Sequence, residues 1–174
     1  MTAVPVTGTS VPAPAPRLLG LRTVLMIAAS FEAFDAFSSV STLFGDTSEI
    51  PGPGIGGFLI KAHIAGHPVL ALAALLFAAT GRVRHAIMAL GGVMIMTWLN
   101  YMPSVVRHGF DFRGVGAIEM PAQIIAFPLM AACAIAYPAR NRQLGIATAL
   151  VGIPTLFNLF GVIAFAVGIA LHGF

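Results

Sequence analysis

Five apolar stretches, each long enough to cross a bilayer and separated by short polar segments, constrain the fold more than any single motif. Taking about 20 apolar residues per crossing, the stretches fall near 20–44, 58–80, 86–104, 119–138 and 144–171. In hydrocarbon every backbone donor and acceptor must find a partner inside the protein, so runs of this length are expected to be helices. Composition points the same way. Hydrophobic residues make up 58% and charged residues 9%, with a mean hydropathy of +0.94, which leaves too little polar surface to coat a water-soluble globule. The expected fold is an all-α integral membrane protein: one five-helix domain over 19–174, multi-pass in the cytoplasmic (inner) membrane and in contact with the lipid bilayer.

Residues 1–18 carry Pro, Thr, Val, Ala and Ser and are charged only at Arg17. This segment reads as a disordered cytoplasmic tail. A cleaved signal peptide would need a basic start before its apolar core, whereas Arg17 and Arg22 immediately precede or open a full-length span. Arginines set the direction. With the N-terminus inside, Arg17, Arg22, Arg82, Arg84, Arg140 and Arg142 are cytoplasmic, while Lys61, Arg107 and Arg113 lie outside with most of the acids. The positive-inside rule then gives N-in and C-out. Nine Lys or Arg against six acids do not amount to a nucleic-acid surface. A single cysteine, Cys133, rules out an intrachain disulfide and any multi-cysteine metal motif.

Pro68, Pro121, Pro128 and Pro154 interrupt the spans. Each lacks an N–H and frees a carbonyl one turn back, so kinks are expected. Trp98, Tyr101 and Tyr137 fall near span ends, as an aromatic belt requires. Gly145, Gly152, Gly161, Ala164 and Gly168 place small residues along the fifth span at spacings that suit close helix contact. A weak hairpin repeat also relates helices 2–3 to helices 4–5, since one displacement lays Arg140 and Arg142 over Arg82 and Arg84 and Asn158 over Asn100. Repeats of this kind occur in transporters built from parallel halves.

Chemistry concentrates where it is least comfortable. Glu32 and Asp35 sit in the middle of the first span, where an acid costs about 3 kcal/mol on insertion scales, and an intramembrane carboxyl is a functional-site hypothesis by default. At 1.5 Å rise per residue, Glu32 lies about 14 Å and Asp35 about 18 Å from the inner edge, with His67 at about 16 Å on the returning helix and His63 one turn further out. By the same arithmetic Asn100 and Asn158 fall near 21 Å and Gln123 near 24 Å. Glu32 and Asp35 at i, i+3 share a helix face, as do His63 and His67 at i, i+4. The expected site is a buried polar pocket, opening outward, formed by Glu32, Asp35, His63 and His67, with Asn100, Gln123 and Asn158 as further binding candidates. A carboxyl beside an imidazole in a low dielectric can pass a proton near neutral pH.

Three function classes fit such a pocket. The first is a small-ligand or proton-coupled transport or accessory component. Five helices are few for transport, so a homo-oligomer or attachment to a larger membrane complex is expected. The second is a redox subunit in which His63 or His67 pairs with His108 or His172 to hold haem, or in which these histidines with Met102 and Met120 hold copper or zinc. The third is a lipid-phase isomerase or cyclase using Glu32, Asp35 and His67 as acid and base. No serine-nucleophile motif, phosphate loop or HExxH occurs, which weighs against an enzyme of the familiar kinds. The first class, without a cofactor, is the favoured expectation. Lys61 is expected to snorkel to the interface, Glu119 to be a solvated helix-start acid, and His85 to be a loop residue.

Overall fold

A computed structural model describes residues 16–44, 55–110, 116–139 and 143–172. Expectations for the tail before residue 16, and for Asp46, Glu49, Asp111, Arg113, Arg140 and Arg142, lie outside the described residues. The described chain is helical: α1 (Pro16–Phe44), α2 (Ile55–Ala79), α3 (Val83–His108), α4 (Gly116–Pro121), a π-helical segment (Ala122–Ala126), α5 (Phe127–Ala139) and α6 (Leu144–His172). Five stretches are long and apolar enough to cross a membrane: Leu18–Ser41, Ile55–Ala79, Val83–His108, Ala117–Pro138 and Leu144–Leu171. The fourth is composite, running through α4, the π segment and α5 without a break.

Local chemistry explains the boundaries. α1 begins at Pro16, within the segment expected to be a disordered tail, because proline suits the first helical position where no N–H is needed. α2 ends in a Schellman motif: Arg82 N–H donates to the Phe77 carbonyl at 2.8 Å and Gly81 N–H to the Ala78 carbonyl at 3.1 Å. Gly81 at φ +76° takes the left-handed conformation this turn requires. The Arg22 guanidinium also donates to the Ala79 carbonyl, placing a cation at the negative end of α2. α3 extends past the expected end near residue 104 to His108, since Arg107 and His108 favour its last turn and Pro103 is accommodated inside the helix.

α3 is the central helix, touching all four other spans, while α2 packs only on α1 and α3 among the described residues. Small side chains make this possible. Ala28, Ala29, Ala74, Ala78, Ala131 and Ala147 are buried at helix contacts, whereas Phe34 (77% exposed), Phe160 (73%) and Leu76 (63%) face outward. A small-residue interior with a bulky apolar exterior is how helices pack when lipid, rather than water, is the solvent. At Gly91 the Ile135 side chain packs directly on the glycine, and an added Cβ would lie 2.7 Å from Ile135 Cγ1. On the fifth span, nothing lies within 4 Å of a Cβ placed at Gly152, Gly161 or Gly168.

Candidate functional site

The residues buried on α1 are Leu25, Ala28, Ala29, Glu32, Ala33 and Ala36, so its inward stripe places one carboxylate among alanines. Glu32 is 8% exposed and His67 4%. His67 Nε2 lies 3.3 Å from Glu32 Oε2. The other oxygen is also taken: Thr155 Oγ1 donates to Glu32 Oε1 at 2.8 Å. A threonine hydroxyl has one proton to give. The alternative acceptor, the Val151 carbonyl, is 3.5 Å away, so the proton goes to Glu32. One carboxyl group thereby ties α1 to α2 and α6.

Beside Glu32 lies a cavity with about 10 Å³ open to the centre of a water molecule, lined by Glu32, Val93, Met94, Thr97, Gln123, Phe127, Pro154 and Asn158. That is room for about one water, and four of the lining side chains are polar enough to hold it. Gln123 is 3% exposed and donates from Nε2 to Asn158 Oδ1 at 3.3 Å. It belongs to the π segment, whose wider turn is set by Phe127 N–H donating to the Ala122 carbonyl; such segments frequently occur at functional sites. Pro128 follows immediately and lacks an N–H. The Ile124 carbonyl four residues earlier instead accepts from Trp98 Nε1 at 3.1 Å. Trp98 thereby serves as a donor to a backbone carbonyl of the neighbouring span.

The structure divides the sequence-predicted residues into two groups. Glu32, His67, Gln123 and Asn158 converge. Asp35 stands at the edge of this group: it is exposed, about 60° around α1 from Glu32, yet near enough to His67 and Glu32 to interact with both electrostatically. Of the four expected pocket residues, Glu32, Asp35, His63 and His67, the first and last are in direct contact. His63 stacks beside His67, with ring centroids 5.0 Å apart and planes at 38°. Its Nδ1 is buried with no hydrogen-bond partner among the described residues. Asn100 is half-buried on α3 and outside the cavity lining.

The outer candidates are dispersed. Glu119 is half-buried rather than solvated, and Tyr101 donates its hydroxyl to Glu119 Oε1 at 3.4 Å. Lys61 and His108 are exposed, and His85 is exposed in the first turn of α3 with its ring 5.3 Å from that of Phe77. The His172 side chain is outside the described residues. No group of three or more His, Cys, Asp or Glu side chains is placed to hold a metal ion among the described residues.

Sequence reasoning missed Thr155 and Thr97. The depth arithmetic that levelled Glu32 with His67 also puts Thr155 at about 17 Å, level with both. Threonine was easy to pass over because its hydroxyl normally bonds back to the carbonyl four residues earlier, as Thr97 does to Val93 at 3.2 Å. No family model, curated protein or solved structure matches this chain.

Proposed function

We propose that this chain is a proton-handling membrane component, in which Glu32 and His67 exchange a proton across their contact and the adjacent cavity holds the water through which it enters or leaves. The observation that carries this reading is the double capture of one buried carboxyl by donors on two other helices. Thr155 keeps one oxygen of Glu32 occupied as an acceptor in either protonation state. The other oxygen and His67 Nε2 can then share a single proton, carried as neutral acid or as imidazolium. A single-water cavity favours proton handling over an organic ligand or a lipid substrate, and so over the isomerase reading.

Two further features belong to the same proposal. The displacement that superposes Arg140 on Arg82 also lays Val151, Thr155 and Asn158 on Val93, Thr97 and Asn100. Of these, Val93, Thr97 and Asn158 line the cavity, and Thr155 binds Glu32. This supports two helical hairpins arranged about Glu32 as a parallel repeat. Asp35, exposed on a span, supports assembly with a second copy or a larger complex, since a carboxyl facing lipid costs about 3 kcal/mol. The proposed orientation keeps the N-terminus and the arginine-rich turns in the cytoplasm.

Infrared titration of the purified protein in lipid tests the reading. A carboxyl band that appears on acidification is expected, absent in Glu32→Gln and displaced in Thr155→Val, with proteoliposome proton flux reduced at least about tenfold if Glu32 carries the proton. An unchanged titration in Glu32→Gln would discard it.

A further inference from the structure

At the opposite end of α3 from His108, the structure holds a second and much larger cavity, of about 420 Å³. It lies where α1, α3 and α6 begin and α2 ends. Its polar wall is Arg22 from α1, Arg82 from the α2–α3 turn, and Arg84 and His85 from the first turn of α3. Its apolar wall includes Leu18, Val83 and Leu144, which are the first residues of three of the five spans. The cavity therefore straddles the level at which hydrocarbon gives way to headgroups.

We infer that this cavity binds the phosphate of an anionic glycerophospholipid, with the guanidinium groups of Arg22 and Arg82 as its principal contacts. Arg22 is held in place by its bond to the Ala79 carbonyl. A guanidinium has five N–H donors, so that bond leaves others for a phosphate oxygen. Arg82 is exposed and stands at the N-cap of α3 without forming a side-chain cap bond. The first N–H groups of α3 beside it add partial positive charge. No carboxylate is among the lining residues. Charge explains the phosphate, and the span-initiating Leu and Val side chains explain why its carrier is a lipid: acyl chains attached to a phosphate at this level run alongside them. Basic pockets between transmembrane helices bind anionic headgroups on these grounds, and the volume lies in the range of specific ligand sites. A zwitterionic headgroup would bring a cation against the arginines, so selectivity for net negative lipid follows.

The test uses the full chain in detergent, titrated with phosphatidylglycerol or phosphatidylcholine and read by native mass spectrometry. Phosphatidylglycerol should be retained in preference to phosphatidylcholine. The double variant Arg22→Gln, Arg82→Gln should weaken phosphatidylglycerol binding by roughly thirtyfold, two cationic contacts being removed, and Arg22→Lys with Arg82→Lys should restore most of it. Arg107→Gln, at the far end of the same helix, should have no effect. Thermal stability of the unmodified chain in nanodiscs provides a readout that needs no variant, and should be higher with phosphatidylglycerol than with phosphatidylcholine. Equal retention or equal stabilisation by the two lipids would overturn the assignment, as would an equal loss in Arg107→Gln. Displacement of the lipid by millimolar inorganic phosphate alone would show a free-phosphate site and equally overturn it.

Discussion

Glu32 joins three helices through hydrogen bonds, and its two oxygens are served unequally. Removing a donor leaves part of a buried carboxyl without a partner. Thr155→Val keeps shape and deletes only the bond to Oε1; such interhelical bonds contribute below about 1 kcal/mol on average in membranes, and an unsatisfied buried acceptor raises the cost to about 1–3 kcal/mol. His67→Ala removes the other partner and opens space beside Glu32, with an expected cost of about 2–5 kcal/mol for a large-to-small change that also leaves a buried acceptor unpaired. Unfolding in mixed micelles should rank the variants in that order. Glu32→Gln, isosteric and uncharged, should be milder than His67→Ala. Asp35→Asn should cost less than Glu32→Gln in monomer unfolding and weaken self-association, read by crosslinking in membranes, because Asp35 is exposed and Glu32 buried. The contrast between two acids one turn apart shows what residue-level reading can and cannot deliver. Depth placed both at mid-span, but only the rotation of α1 against its neighbours decided which one turned inward.

Among elements, the contact between α3 and the fourth span has little slack at Gly91. Gly91→Ala sets a Cβ 2.7 Å from Ile135 Cγ1. Overpacking of that kind costs about 1–3 kcal/mol and outweighs the gain of about 1 kcal/mol that alanine brings to a helix. Gly152→Ala, with nothing within 4 Å of the new methyl, should be neutral or slightly stabilising in the same thermal assay. The π segment offers a second comparison. Trp98→Phe strips the Ile124 carbonyl of its donor, a loss of about 1 kcal/mol. In a Pro128→Ala background the restored N–H offers that carbonyl a backbone partner, so the loss should shrink, and a double-mutant cycle measures the difference. The proline at 128 was visible in the sequence, and a freed carbonyl could be anticipated from it. That Trp98 would satisfy it was not, since a tryptophan near a span end fits the interfacial belt equally well.

On the scale of the molecule, the proposed orientation rests on where the arginines cluster, and the proposed lipid site at that end would give the cluster a second role. With Cys133 replaced by Ser, a cysteine introduced at Val106 should react with a membrane-impermeant maleimide added outside intact cells. One introduced at Gly81 should react only after lysis. The reverse pattern would invert the proposed topology. The bundle itself is asymmetric: α3 touches every other span, whereas α2 reaches only α1 and α3. His67 consequently approaches Glu32 from one side, and the π segment and α6 close the cavity from the other.

Length and apolar character by themselves determined five helices long and apolar enough to cross a membrane, because backbone groups in hydrocarbon have no alternative to helical pairing and rise per residue then sets relative depth. The arginine turns, the glycine that ends α2 and the level shared by Glu32 and His67 are of the same local kind. Rotation about each helix axis is not. It emerges from which alanines and glycines let backbones approach, a property of all the spans at once, and it alone turned Asp35 outward, brought Thr155 to Glu32 and directed Trp98 to a carbonyl on the neighbouring helix.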